Sequence, residues 1–253
     1  MLALVAIVPS APLLVPELAG PAAVEAEAVR GAVREVADQL ASAASSWIAV
    51  GAADVAGGAR GSIEYSGTGE FGAYGVSVPV NLGKKGESTG SQPLPLSMLI
   101  ACWIRGEVAQ DIAITPFVVD PEASPAECAA RGRELAALLS ATPEPVGVLV
   151  VADGSTALSS SAPGGGLRES AVELQQMIDS AIAAADCEAI TELDPSACAV
   201  EGVGGRAAWQ TAAAACTTPL AAKVDYCAAP FGVGYTVATW TPVGCPPVDG
   251  GAR

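Results

Sequence analysis

The chain has 253 residues, of which 27 are acidic and 12 basic, so its formal net charge is −15. Nucleic acids and anionic membranes bind through Lys and Arg side chains, and this acidic excess disfavours both kinds of partner. Hydrophobic residues make up 51% of the chain and aromatic residues only 4%. Such an alanine-rich composition supplies one core in which helices approach a sheet closely, and we expect a single domain over residues 1–253.

The first elements alternate between strand and helix. Residues 2–8 are apolar and end at a proline, which predicts a buried strand that feeds a loop. A helix then begins near Gly20, and residues 47–50 read as a second strand. The apolar stripe of that helix consists of Val29, Val33, Val36 and Leu40. Strand, helix and strand in this order indicate a crossover connection and parallel pairing.

Glycine and serine dominate residues 51–90, with β-like pieces at 62–65 and 75–82 and a polar loop at 84–92. Residues 67–72 (GTGEFG) have the spacing of a dinucleotide-binding motif. That motif needs a helix N-terminus after it to hold a pyrophosphate, and β-like residues follow here instead. We therefore interpret the motif as a turn-rich loop.

The second half repeats the alternation of helices and strands. Helices are predicted at 94–105, 125–139, 169–185 and 205–216. Strands are predicted at 111–119, 146–151 and 232–241. Leu138 and Met177 are among the side chains expected to face inward. The pattern indicates a three-layer α/β/α sandwich with a central, mostly parallel or mixed sheet.

The seven cysteines form no Cys-x-x-Cys pair, and the closest two are eleven positions apart. Disulfide frameworks and zinc sites normally show tighter spacing, so we expect reduced, mostly buried thiols. Residues 1–8 are apolar but lack the basic segment of a signal peptide. No apolar stretch reaches the ~20 residues that span a bilayer. We expect a cytoplasmic protein.

The most favourable position for a functional site follows the strand at 146–151. Ligands of open α/β sheets bind beyond the carboxyl ends of the strands, where Asp153, Ser155 and Thr156 lie. The alternative interpretation is an ordinary turn, in which Asp and Ser satisfy local backbone groups. The run that follows, at 159–166 (SSSAPGGG), is expected to be a mobile loop or lid.

The chain contains no histidine. Ser-His-Asp and Cys-His nucleophile arrangements are therefore excluded. A Ser–Lys dyad would have to use Lys84, Lys85 or Lys223, and the first two lie in a polar loop where a lysine is not desolvated. The sequence offers no convincing nucleophile.

Four segments, in chain order, resemble class III extradiol ring-cleavage dioxygenases of the catalytic (B) subunit type, in their actinobacterial branch. They are 7–17 (IVPSAPLLVPE), 151–156 (VADGST), 205–209 (GRAAW) and 229–235 (APFGVGY). The resemblance implies the α/β fold of those enzymes. It also implies an Fe(II) held by two histidines and a carboxylate, with another histidine as acid/base.

The histidines of that pattern are missing from this chain. Ser10 stands where the first iron ligand is expected, the second would fall near residues 52–54, and Thr156 stands about where the acid/base histidine falls. A neutral hydroxyl is a far weaker Fe(II) ligand than imidazole. We therefore expect no metal, no cofactor and no active dioxygenase.

Three functions remain open. The first is a catalytically degenerate relative that binds a small molecule or a protein partner in a pocket. That pocket would be lined by Ser10, Asp54, Asp153, Ser155 and Thr156. The second is an enzyme of another class that uses Glu17, Asp54 or Asp153 as a base or as a ligand for a hard divalent cation. The third is a structural subunit within a homo-oligomer or with a partner subunit.

Overall fold

The structure, a computed structural model, describes residues 1–20, 24–53, 65–86, 90 and 93–244. The strands in this part of the chain are β1 (Leu2–Val8), β2 (Ser46–Ala52), β3 (Thr68–Glu70), β4 (Pro79–Asn81), β5 (Ile114–Val119), β6 (Val146–Val151), β7 (Leu220–Ala228) and β8 (Tyr235–Pro242). The helices are α1 (Pro16–Ala19), α2 (Val24–Ala43), α3 (Leu96–Val108), α4 (Pro125–Ala141), α5 (Glu169–Ala184), α6 (Cys187–Thr191), α7 (Pro195–Val200) and α8 (Arg206–Ala215). Two short 3-10 helices cover Pro12–Leu14 and Phe71–Tyr74.

Six strands form the central sheet in the order β5-β2-β6-β1-β8-β7. The first four are parallel to one another, whereas β8 runs antiparallel to β1 and β7 runs antiparallel to β8. Helices connect the parallel strands, as parallel pairing requires. The mostly parallel, mixed sheet expected from the alternation of elements is confirmed, while β7 was not predicted.

Helices cover both faces of this sheet. On one face α2 and α3 pack against Ala6, Val8 and Leu149. On the other face α4, α5 and α8 pack against residues that alternate with these, such as Ile7 and Val148. Successive strand side chains point to opposite faces, so each parallel strand contributes to both layers of core. The three-layer α/β/α sandwich is confirmed.

Small residues also allow two helices, α4 and α8, to approach each other closely. A Cβ added at Gly132 on α4 would lie 2.5 Å from the Cβ of Ala214 on α8 and 2.9 Å from the carbonyl oxygen of Thr211. Real Cβ atoms do not approach other atoms this closely. The spacing between α4 and α8 is therefore set by a glycine that faces an alanine.

The glycine-rich segment 67–72 contains more regular structure than predicted. Its residues Thr68–Glu70 form β3, which pairs with β4, and the 3-10 helix Phe71–Tyr74 follows. Because no α-helix begins there, the segment lacks the helix N-terminus that holds a pyrophosphate. Of the polar loop predicted at 84–92, only 84–86 and 90 are among the described residues, and the β-like piece at 62–65 is described only at Tyr65.

Two side chains predicted to face inward are exposed. Met177 on α5 is 60% exposed and Leu138 on α4 is 45% exposed. Ile178, which was also predicted to face inward, is buried, and Leu139 is buried in place of Leu138. Consecutive residues of a helix point about 100° apart around its axis. An error of one position in the predicted stripe therefore exchanges a core side chain for a surface one.

None of the described helices is both long and apolar enough to cross a bilayer. The six cysteines in the described part of the chain are free thiols. Cys102, Cys128 and Cys198 are buried, as expected. Cys187 and Cys216 are half-buried and Cys227 is exposed.

Candidate functional site

The carboxyl ends of β1 and β6 bring two predicted site residues together. The N–H of Ala152 donates to the carbonyl of Val8 at 2.9 Å, which continues the parallel pairing past the last strand residues. Two residues beyond β1, the N–H of Ser10 donates to Oδ1 of Asp153 at 2.7 Å. Ser10 and Asp153 therefore face each other across the edge where open α/β sheets bind ligands.

Asp153 carries the most strongly perturbed carboxyl group at this edge. Burial raises the pKa of Asp153 to about 7, and the hydrogen bond from the N–H of Ser10 offsets part of the rise. The side chain has no basic partner among the described residues. Among the described residues its carboxylate therefore accepts one backbone N–H and has no ion pair, which leaves capacity to accept from an external donor.

Tyr235 follows Gly234, whose backbone pairs with Gly154 and Ser155, and it was not predicted as a site residue. It begins β8 and is 4% exposed. Burial, followed by the nearby charge of Asp153, raises the pKa of its hydroxyl. The sequence indicated the segment 229–235 only through a family resemblance. Tyr235 is the first residue of β8, which runs antiparallel to β1 and therefore begins at the edge of the sheet where β1 and β6 end. We call Ser10, Asp153 and Tyr235 together the Asp153 site.

Backbone hydrogen bonds hold Asp153 in place from two sides. The N–H of Gly205, just before α8, donates to the carbonyl oxygen of Asp153 at 2.8 Å. The N–H of Gly154 donates to the carbonyl of Gly234 at 2.8 Å, and the N–H of Gly234 donates to the carbonyl of Ser155 at 2.9 Å. The loop after β6 is thus paired with the segment that enters β8, across the end of β1.

A buried glutamine supports this loop from α5. Oε1 of Gln175 accepts the N–H of Ser155 at 2.8 Å, and its Nε2 donates to Asp179 at 2.9 Å. Added Cβ atoms at Gly154 and Gly234 would lie 2.1 Å and 2.3 Å from that Oε1. The sequence analysis did not predict Gln175 as a site residue. Its position on the buried side of α5 was the available signal, because a polar side chain buried there needs a hydrogen-bond partner inside the protein.

Ser155 and Thr156, both predicted to line a pocket, differ in burial: Ser155 is buried within the loop, whereas Thr156 is half-buried. The Ser155 side chain is fully buried, and its hydroxyl donates to the carbonyl of Glu201 at 2.6 Å and accepts the N–H of Ala157 at 3.1 Å. Oγ1 of Thr156 lies against Gly202, where an added Cβ would be 2.1 Å away. The Ser155 hydroxyl holds the loop together, which is the ordinary-turn interpretation of this motif.

Glu17 and Asp54 are the other predicted carboxylates. Glu17 is exposed on the first turn of α1. Asp54 lies outside the described residues. Of the five predicted pocket residues, the structure therefore brings together Ser10 and Asp153.

The segment 159–166, predicted to be mobile, is fastened at both ends. The N–H of Leu158 donates to the carbonyl of Gly232 at 3.0 Å. Arg168 donates to the carbonyl of Gly164 and to Oε2 of Glu201, both at 2.7 Å. The hydrogen bonds from Arg168 and Ser170 lower the pKa of Glu201, which therefore stays ionised. Arg168 lies outside the run 159–166, so the composition of that run did not predict the hydrogen bonds that hold it.

The described residues do not fit the Fe(II) centre that the family resemblance implies. The chain has no histidine, and Ser10 presents a backbone N–H to Asp153, which is a donor and cannot coordinate a metal. Within the described ranges no three His, Cys, Asp or Glu side chains lie close enough to hold a metal ion. A facial triad needs two imidazoles and a carboxylate in one cluster.

A cavity of about 610 Å³ lies at the opposite, amino-terminal edge of the sheet. It is lined by Leu2 of β1, Leu139 of α4, Pro242 of β8 and small or hydroxyl-bearing neighbours. No acidic or basic side chain is among its lining residues. Volume alone favours this cavity, but the carboxyl group with the raised pKa lies at the Asp153 site, which is therefore the stronger candidate.

Comparisons with known proteins bear on the fold alone. No protein-family model matches this chain. No curated protein matches it either. Among solved structures, the chain is similar to the uncharacterized protein JW3007 from Escherichia coli K12, with a TM-score of 0.53 and 12% sequence identity. The match covers 94% of this chain and 99% of that one, so the two share an α/β architecture over nearly their whole length.

Proposed function

We propose that this protein is a catalytically degenerate relative of the extradiol dioxygenase B subunits that binds a small molecule at the Asp153 site without Fe(II)-dependent ring cleavage. The observation that carries the proposal is the carboxyl group of Asp153, held by the N–H of Ser10 and without a basic partner among the described residues. Assembly with a partner subunit is a further expectation of the same resemblance, and a cytoplasmic location stays an expectation from the sequence.

The chemistry of the site selects the ligand class. Asp153 accepts hydrogen bonds when it is ionised, and Tyr235 adds a hydroxyl that exchanges donor and acceptor roles. The formal charge of −15 and the absence of a basic partner at Asp153 among the described side chains disfavour anionic ligands. We therefore expect a small molecule that presents a hydroxyl or an amine to Asp153.

Binding of three matched aromatic probes tests this proposal. Benzylamine and benzyl alcohol should bind at pH 8 in the presence of a chelator, and benzoate should bind at least about tenfold more weakly, a difference of ~1.4 kcal/mol. Isothermal titration calorimetry measures the three affinities. Asp153→Asn should abolish the preference for benzylamine over benzoate.

Glu17→Gln is the matched control, because it removes an equal charge from an exposed position. It should leave all three affinities unchanged. A preference for benzylamine over benzoate that survives Asp153→Asn contradicts the proposed site. Stoichiometric iron in the purified protein, together with ring opening of catechol, contradicts the proposed degeneracy.

A second candidate is acid/base catalysis by Asp153 in an enzyme of another class. It is favoured by the pKa of about 7, because both protonation states are then populated near neutral pH. Compounds that bind in the calorimetric assay should then be consumed, with a pH–rate inflection near 7. Asp153→Asn should lower the rate by ~10²–10⁴-fold, as followed by chromatography. A rate independent of pH from about 5 to about 9 would contradict this role.

A further inference from the structure

A chain of hydrogen bonds runs from β8 through α5 to the loop after β6. Oγ1 of Thr236 on β8 donates to Oδ1 of Asp179 on α5 at 2.6 Å. The same oxygen accepts from Nε2 of Gln175 at 2.9 Å, and Oε1 of Gln175 accepts the N–H of Ser155 at 2.8 Å. We call these four residues the α5 network. Thr236, Gln175 and Ser155 are buried, and Asp179 is half-buried.

Both ends of the α5 network lie next to residues of the Asp153 site. Thr236 directly follows Tyr235 in β8, and Ser155 is two residues after Asp153 in the loop after β6. The two segments that carry the site are therefore tied to one point on α5. That point is the carboxylate of Asp179, which bonds β8 directly and reaches the loop through one amide side chain.

The carboxylate of Asp179 also selects the orientation of the Gln175 amide. A carboxylate oxygen only accepts hydrogen bonds, whereas the backbone N–H of Ser155 only donates. Nε2 therefore faces Asp179, and Oε1 faces Ser155. Without the carboxylate the amide is free to turn over, and its NH2 group then meets the N–H of Ser155 donor to donor.

A turned or displaced amide disturbs both segments, because it lies tightly against each of them. Added Cβ atoms at Gly154 and Gly234 would both lie 2.7 Å from Nε2 of Gln175. These two glycines are hydrogen-bonded to each other and join the loop after β6 to the segment that enters β8. The position of the amide is therefore transmitted to the backbone on both sides of the Asp153 site.

We propose that Asp179 is a positioning residue, which holds the backbone around Asp153 and Tyr235 in the arrangement that binds the ligand. The inference rests on the proposed function, because it assigns Asp179 a role in that same site. The ordinary role of an acidic residue on a helix is a surface ion pair. No ion pair in the described part of the chain includes Asp179, so its hydrogen bonds to Gln175 and Thr236 are the contacts that define its role.

Hydrogen exchange tests the α5 network without any ligand. In Asp179→Leu, the N–H of Ser155 should exchange on the order of tenfold faster than in wild type, because its acceptor is no longer held in place. Asp179→Asn keeps an oxygen that accepts both hydrogen bonds and should exchange like wild type. Glu173→Leu is the matched control, since it removes an equal charge from an exposed position of the same helix. NMR spectroscopy measures the exchange rates.

Binding of benzyl alcohol tests the effect on the site, because this probe is uncharged and responds little to the lost charge of Asp179. Asp179→Leu should weaken its binding on the order of tenfold, as measured by isothermal titration calorimetry. Asp179→Asn and Glu173→Leu should bind it like wild type. A purely structural role would lower the free energy of unfolding in urea and leave the affinity of the folded protein unchanged.

A reciprocal exchange of two side chains keeps the inference testable if Asp179→Leu does not fold. Gln175→Glu places a carboxylate oxygen 2.9 Å from Oδ1 of Asp179, so repulsion replaces the hydrogen bond. This variant should bind benzyl alcohol on the order of tenfold more weakly than wild type. Adding Asp179→Asn supplies a donor to the new carboxylate and returns the net charge to that of wild type, so it should restore the affinity.

The results separate this inference from the proposed function. Wild-type protein that binds none of the three aromatic probes contradicts the proposed function, whereas faster exchange of the Ser155 N–H in Asp179→Leu still supports the α5 network. Wild-type exchange in both Asp179→Leu and Gln175→Glu would overturn the inference. Faster exchange with an unchanged affinity for benzyl alcohol would overturn the positioning role as well.

Discussion

Replacing Asp153 with asparagine should stabilise the protein at about pH 8 by on the order of 3 kcal/mol. The reason is that the ionised carboxyl is desolvated in the folded state, which raises its pKa from 3.8 to about 7. Asparagine keeps an oxygen that accepts the N–H of Ser10 and carries no charge. Asp153 is half-buried, so the gain comes from removing a partly desolvated charge while the hydrogen bond stays.

The sign of the pH dependence follows from the direction of the shift. Between pH 3.8 and about 7 the folded state binds the Asp153 proton more tightly than the unfolded state does. Unfolding then releases protons, so the free energy of unfolding decreases as the pH rises through this window. Asp153→Asn should flatten that part of the pH profile, and the two proteins should differ little below pH 3.8.

Urea unfolding from about pH 3 to about pH 8 measures the effect. Glu17→Gln removes the same charge from the exposed surface and corrects for the change in net charge of this acidic protein. A variant that is less stable than wild type at the alkaline end would show that the folded protein stabilises the carboxylate. The ligand proposal would then lose its physical basis.

A carboxyl group that lowers stability is informative about the site. Most residues that reduce stability without a compensating gain are easily replaced, and natural proteins keep such groups mainly where activity requires them. Asp153 has no basic partner among the described residues, unlike Glu201, which pairs with Arg168. The two acids therefore differ in role: Glu201 fastens the loop, and Asp153 is left available to a ligand.

Strand positions were predictable because burial leaves a strong pattern in the sequence. The run 146–151 is buried throughout and forms β6 with the predicted ends. The rule that ligands bind beyond the carboxyl ends of strands then placed Asp153 and Ser10 at one edge. The strand β7 was not predicted because buried and exposed residues do not alternate clearly along it. It is an edge strand of the sheet, with β8 as its one neighbouring strand among the described residues.

The direction of individual polar side chains was not predictable. Ser155 and Asp153 are two residues apart after the same strand, yet the serine hydroxyl is buried against Glu201 while the aspartate meets Ser10. That difference depends on α5 and the loop before α8, which come later in the chain. Local sequence does not identify such long-range partners.

Gly205→Ala should destabilise the protein by about 3 kcal/mol, the upper part of the range for overpacking. An added Cβ would lie 2.6 Å from the carbonyl oxygen of Asp153 and 2.7 Å from the Cβ of Ala152. One of these atoms is a backbone oxygen and the other is a Cβ, so neither can move away by rotation of a side chain. The backbone of α8 or of the loop after β6 has to shift.

The neighbouring glycine supplies the control for this prediction. Gly204 is exposed, and an added Cβ there meets nothing within 4 Å. Gly204→Ala should change the free energy of unfolding by less than about 1 kcal/mol. If the two variants unfold at the same urea concentration, the close approach of Gly205 to Asp153 does not constrain the fold. If Gly205→Ala alone is destabilised and also binds benzylamine more weakly, the start of α8 positions Asp153 for its ligand.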